Sequence, residues 1–276
     1  MNTELDFNGW DLDLVYQQGQ GPDLFVAFGC SWTRAWGSYP QETMVGLPGY
    51  VENTEFLSTK SYMALIADHL GLERRFNFAQ CGSNNDTQAR LIIEFVQKNR
   101  SRFNRVFVLW GITSIYRWEL YCNRIDAPWS YMRGSHVPRD EQNELDHYFK
   151  YHWEKGYQLD RLADRIVTLS AYLESQQVEH CFFPVFQPYN QHNLALPNLP
   201  TQLFRQEKHT NDMMGLMCEN ESLDAIDDFL SDANNKDTRI NHLIQAGYLS
   251  QHHAHPTEKG HRFIADNIIE WLRQKQ

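Results

Sequence analysis

Several things are scarce in this 276-residue chain, and each scarcity excludes something. Long apolar runs are missing. The stretches 24–30 and 106–112 are among the longest, far short of the roughly 20 residues that cross a bilayer. A signal peptide's basic start and apolar stretch are missing too, since the chain opens on Met1, Asn2, Thr3, Glu4, Leu5, Asp6 and Phe7. Cysteine is sparse, with five residues at positions 30, 81, 122, 181 and 218. That odd number, without CxxC spacing, fits reduced thiols rather than a disulfide framework, and the expected compartment is cytoplasmic. Positive charge is in short supply: 25 Lys and Arg stand against 35 Asp and Glu, a net charge of −10. No Lys/Arg block offers a grip on nucleic acid, and an anionic membrane surface is disfavoured for the same reason. Internal repeats and low-complexity tracts are absent.

What is present is core material, with 42% hydrophobic, 13% aromatic and 22% charged residues. That composition suits an ordered globular chain, and the length allows one large domain spanning 1–276. Residues 24–29 form a continuous β-forming apolar run, as a strand buried on both faces does. The stretches 76–79, 106–110 and 180–186 read as further strands. Between them the spacing predicts helices over 59–70, closed by Gly71, over 87–99, capped by Asp86, and over 158–176. A last helix is capped by Thr257 and buries Phe263, Ile264, Asn267, Ile268, Trp271 and Leu272. Strand and helix alternate, which predicts an α/β protein: a three-layer α/β/α sandwich on a parallel sheet. Residues 1–20 are expected as an N-terminal arm. Two stretches break the alternation, 118–157, rich in aromatics, and 187–250, with a short helix expected over 223–230. Both are expected as insertions over the active face.

In an open α/β sheet ligands gather beyond the carboxyl ends of the strands. There the chain carries Gly29-Cys30-Ser31-Trp32-Thr33, then Cys81-Gly82-Ser83-Asn84-Asn85-Asp86, then Gly111-Ile112-Thr113-Ser114 with Arg117. Before the last helix it carries His252-His253-Ala254-His255-Pro256.

These four blocks resemble, in order, those of the SGNH (GDSL-type) hydrolase superfamily. The first is similar to its Gly-Asp-Ser block, Gly82 to the glycine of its second, and Gly111 to Ser114 stand in place of Gly-x-Asn-Asp. His255-Pro256 stand where Asp-x-x-His-Pro falls. The wording Gly-Cys-Ser-x-Thr resembles a divergent branch common in phages and bacteria. The resemblance spans residues 24–271 and implies a flavodoxin-like α/β/α fold and ester hydrolysis without a cofactor. It implies Ser31 as nucleophile and His255 as general base, which suits the chemistry, because a serine hydroxyl is a poor nucleophile until a base takes its proton. Backbone N–H groups of Ser31 and Gly82 are the candidate oxyanion donors, each donor being worth roughly 3–4 kcal/mol in the transition state. Asn84, Asn85 or Thr113 would add a further one. Trp32, Asn85 and Arg117 are candidate substrate contacts, the substrate being a small-molecule or carbohydrate ester. Two departures stand out. Thr113 replaces the third-block Asn, and His252 replaces the Asp that would orient His255.

Plainer alternatives stand beside these. Ser31 is also a good turn or N-cap serine, and Cys30 is a rival nucleophile or a packing residue. His261 suits a core or surface role. The cluster of His252, His253, His255 and His261 invites zinc, but no carboxylate or Cys lies at ligand spacing within it. Arg117 and Glu119 are either an anion contact or a surface ion pair. The aromatics of 118–157 line a pocket or pack a core, and the acidic stretch 219–237 is a solvated face. Three other functions therefore remain: a non-catalytic binding protein of the same fold, an acyltransferase, and a metal-dependent hydrolase at His252, His253 and His255.

Overall fold

The computed structural model describes residues 16–18, 21–35, 54–80, 83–122, 127–132, 147–148, 150–185, 212–223, 238–251 and 254–274. Expectations for Cys81, Gly82, His252, His253 and 224–230 lie outside the described residues, as do those for the side chains of Trp118 and Glu119.

Three of the apolar runs form the centre of one sheet. Strands β2 (Asp23–Phe28), β4 (Arg105–Ile112) and β7 (Glu179–Pro184) are adjacent and parallel. Strand β3 (Arg74–Asn77) pairs in parallel on the other side of β2. Strand β1 (Tyr16–Gln18), placed by the sequence reading in a terminal arm, pairs antiparallel with β3 and completes the order β1-β3-β2-β4-β7.

Side chains alternate between two cores, so each central strand, beyond its polar first residues, is apolar and buried in two directions. Leu24, Val26 and Phe28 of β2 join Val106, Val108 and Trp110 of β4 under helices α3 (Asn85–Asn99) and α4 (Lys155–Ser175). Phe25 and Ala27 join Phe107, Leu109, Cys181 and Phe183 under the opposite layer. That layer contains α1 (Thr54–Thr59), α2 (Tyr62–His69), α5 (Met213–Asn220), α6 (Thr238–Gln245) and α7 (Glu258–Arg273). The chain is thus a three-layer α/β/α sandwich. Among the described residues no helix is long and apolar enough to cross a membrane.

Four local expectations are corrected. The third strand starts at Arg74 rather than at residue 76, because both of its arginines are buried with partners. Arg75 donates to Leu72 O at 3.0 Å and pairs with Asp68, while Arg74 lies over the rings of Phe76 and Phe103. The cap of α3 is Asn84, whose Oδ1 accepts from Thr87 N–H at 2.8 Å, and Asp86 sits inside the first turn. The stretch from 59 to 70 is broken at Ser61, the N-cap of α2, so α1 is a separate turn. Finally, part of 187–250, expected as an insertion, contributes to the core. Met213, Met214, Met217 and Cys218 of α5 and Leu243 of α6 are buried in the same core as Ile264 and Ile268 of α7. The other expected insertion begins at the carboxyl edge, where β5 (Arg117–Cys122) and β6 (Ala127–Met132) form an antiparallel pair.

Asp212 caps α5, its Oδ1 accepting from Gly215 N–H at 2.8 Å. Burial raises its carboxyl to about 7, against the opposing pull of that N–H. An unfolded Asp titrates near about 3.9, so the folded value is the higher one. Its contribution to stability is therefore complete below about pH 4 and is lost as the pH rises through the folded value. Asn caps helices as well as Asp and does not titrate. The Asp212→Asn protein should have a higher urea midpoint than wild type near about pH 8, with the gain vanishing near about pH 4. An equal difference at both pH values would contradict a buried titrating carboxyl.

Candidate active site

Ser31 stands three residues beyond β2, in a turn that cannot relax easily. Gly29 has φ +150°, and a Cβ there would lie 2.2 Å from Thr33 Oγ1 and 3.0 Å from Gly111 O. Only glycine fits, and Thr33 wedges itself over both Gly29 and Gly111. The turn closes with Arg34 N–H on Cys30 O at 3.0 Å. Two further bonds tie it to the end of β3: Asn77 Nδ2 donates to Thr33 O, and Arg34 Nη1 to Ala79 O, both at 3.0 Å. Cys30 points into the core shared with α2 and α7, a packing position rather than a nucleophile's. Trp32, expected as a substrate contact, is only 1% exposed and packs in that core as well.

His255 comes from the far end of the chain. Leu249 and Pro256 form an antiparallel bridge, and the loop between them is held by Ser250 N–H on His255 O at 2.8 Å and His255 N–H on Ser250 Oγ at 3.2 Å. Thr257 caps α7, as the sequence predicts, by accepting from Gly260 N–H. The outcome is a contact of 2.8 Å between His255 Nε2 and Ser31 Oγ, across 224 positions of chain. That is the distance proton transfer needs.

The other candidates divide. Asn84 is fully buried. Its Oδ1 caps α3, while among the described residues no acceptor meets its Nδ2, a buried donor still available. Asn85 is committed elsewhere: Oδ1 accepts from Thr113 N–H at 2.9 Å and Nδ2 donates to Thr113 O at 2.8 Å. It fastens α3 to the end of β4. The Thr113 side chain is buried at that junction. Arg117 reaches towards Ser83 O at 3.5 Å, beside the same loop. Among the described residues no group of three or more His, Cys, Asp or Glu is placed to hold a metal ion.

His261, expected as a core or surface residue, is a core residue with a polar duty. It is fully buried, its Nδ1 accepts from Tyr62 N–H at 3.3 Å, and its ring meets Phe56 edge-on. Burial, with His255 nearby, lowers its pKa to about 3. It therefore stays neutral and adds no positive charge against a protonated His255.

No family model matches this chain, and no curated protein matches it. Solved structures do overlap it. A psychrotrophic esterase, EstA, from Pseudoalteromonas sp. is 12% identical over 91% of this chain and 97% of its own, with a TM-score of 0.37. A catalytic mutant of Axe2, an acetylxylan esterase from Geobacillus stearothermophilus, is 13% identical over 92% and 96%, with a TM-score of 0.41. LAE5, an α/β hydrolase enzyme from the metagenome of Lake Arreo, Spain, is 17% identical over 90% and 94%, with a TM-score of 0.39. Overlaps this loose record a likeness only. The fold rests on the strand pairing described above, and the chemistry on the atoms around Ser31.

Two outcomes follow from this geometry. Asn85→Ala strips partners from two backbone groups of Thr113 and should destabilise the protein by about 2–4 kcal/mol in urea titration, at roughly 1–3 kcal/mol per buried group left unpaired. A change below about 0.5 kcal/mol would mean the clamp is not formed. His261 titrates below its unfolded value, so its contribution is present above about pH 6.5 and is lost as the pH falls towards 3. His261→Gln keeps an acceptor for Tyr62 and should lessen that acid loss, so its urea midpoint should fall less than that of wild type between about pH 6.5 and about pH 4.

Proposed function

We propose that the chain is a single-domain serine esterase that works through an acyl-enzyme on Ser31. The observation that supports it is the 2.8 Å contact between Ser31 Oγ and His255 Nε2 at the carboxyl edge of the sheet. In this reading His255 Nε2 takes the Ser31 proton as Oγ attacks the ester carbonyl carbon, and the carbonyl electron pair moves onto oxygen. The Ser31 N–H and Asn84 Nδ2 are the donors proposed for that oxyanion, Asn84 taking the role of the third-block Asn that the family resemblance implies. As the intermediate collapses, the C–O bond to the alcohol breaks, and the imidazolium returns its proton to the departing alkoxide. Water, deprotonated by the same nitrogen, then attacks the acyl carbon, releasing the carboxylic acid and restoring Ser31.

His261 supports this cycle by remaining neutral. A second charged imidazole beside His255 would oppose the imidazolium that both steps need. The proposed substrates are acyl esters of hydroxyl compounds, small metabolites or carbohydrates.

A fluorophosphonate should give one adduct, at Ser31, by intact mass and peptide mapping, and the protein should hydrolyse p-nitrophenyl acetate. Ser31→Ala should abolish both while leaving the thermal midpoint nearly unchanged. His255→Ala should lower kcat about as far, because nucleophile and base act as a unit. Asn84→Ser keeps a side-chain oxygen that can cap the helix but removes the amide donor without burying a charge, so kcat should fall by about 10²–10³ in a folded protein. If wild type takes no label and cleaves no ester, the chain is a binding protein rather than a hydrolase.

A further inference from the structure

Helix α3 carries a buried glutamine that the mechanism above leaves without a role. Gln88 is fully buried, one turn beyond the Asn84 cap, on the same face as Ile92 and Phe95. Its carboxamide is used at both ends. Oε1 accepts from Gly29 N–H at 2.8 Å, and Nε2 donates to Ser83 Oγ at 2.6 Å. Gly29 O meanwhile accepts from Gln80 N–H at 3.0 Å, so the backbone ladder supplies one partner and the glutamine the other. Gly29 begins the turn that presents Ser31, and Ser83 immediately precedes Asn84.

We propose, on the hydrolase reading above, that Gln88 is a positioning residue which fixes the Ser31 turn against the Asn84 loop. The two loops arise from different strand ends: Gln80 N–H on Gly29 O and Arg34 Nη1 on Ala79 O join their near ends, and Gln88 adds the tie at Ser83, beside Asn84. A carboxamide is the one uncharged side chain of this reach with an acceptor and a donor side by side. It thereby sets the separation between the attacking oxygen and the oxyanion donor. An error of about 1 Å in such a separation costs roughly a hundredfold in rate.

Because Gln88 touches neither substrate nor reacting atoms, its loss should act on the chemical step and not on ground-state binding. Gln88→Met preserves length and burial but removes both bonds. Its kcat for p-nitrophenyl acetate should fall by about a hundredfold, with KM changed less than about twofold. Phosphonate capture at Ser31 should slow to a similar extent. Gln88→Glu provides the rescue. A buried carboxyl is held protonated, and in that form it again offers one acceptor and one donor. Its kcat relative to wild type should be highest near about pH 6 and should drop as the carboxyl ionises towards about pH 8.

Full kcat in Gln88→Met beside an active wild type would overturn this proposal alone. So would a pH-independent ratio for Gln88→Glu, or a rise in KM at constant kcat. An inactive, unlabelled wild type would overturn the hydrolase reading and this proposal with it.

Discussion

Neighbouring parallel strands cannot be joined by a tight hairpin. The chain must leave the end of one strand, cross a face and re-enter at the start of the next. In this protein that constraint places every loop following β2, β3, β4 and β7 on a single edge. Residues distant in the chain are gathered there without any long-range recognition among themselves: Ser31 after β2, Asn84 on the way into α3, Thr113 after β4. The same crossovers cover both faces of the sheet with helices. The strands must therefore be apolar on both sides, and the polar chemistry is confined to their ends.

How the loops are held at that edge follows a pattern shared by two helices. In α3 the cap is Asn84 and the residue four places on is Gln88; in α7 the cap is Thr257 and the residue four places on is His261. Both side chains are fully buried at the top of an apolar stripe, and both accept from a backbone N–H of another element, Gly29 or Tyr62. The first turn of each helix thus anchors two things, its own free N–H groups through the cap and a neighbouring backbone through this residue. The Ser31 turn hangs on one helix, and the loop bearing His255 adjoins the other.

Most of this framework is visible in the amino-acid sequence, and the exceptions have physical causes. β2, β4 and β7 are legible because strands buried on both faces must be continuous apolar runs. The start of β3 is hidden because Arg74 and Arg75 are buried through partners, which hydropathy does not register. β1 is short and polar, and only its pairing with β3 makes it a strand. The pairing of Ser31 with His255 is legible because strand ends and motif order both point to one edge. The packing of Trp32 and the bonding of Asn85 are not legible: a turn aromatic packs in the core as readily as it lines a pocket, and a turn amide readily pairs with backbone. Gln88 left a readable trace: a polar residue on the 88, 92, 95 stripe of an amphipathic helix needs a buried partner.

The span between Ser31 and His255 also bears on how the protein is made. At about 5–20 residues per second, a ribosome adds His255 roughly 10–45 s after Ser31. In that interval β2, β3, β4 and β7 have all emerged, and the sheet with its α3–α4 layer has the residues it needs to collapse. The opposite face still lacks α7, and its Phe25, Phe107 and Phe183 have no complete cover. A nascent chain therefore holds Ser31 without its His255 partner, and the docking of α7 both seals the last apolar face and delivers the imidazole. The Ser31–His255 contact and burial of the final sticky surface arrive in one event.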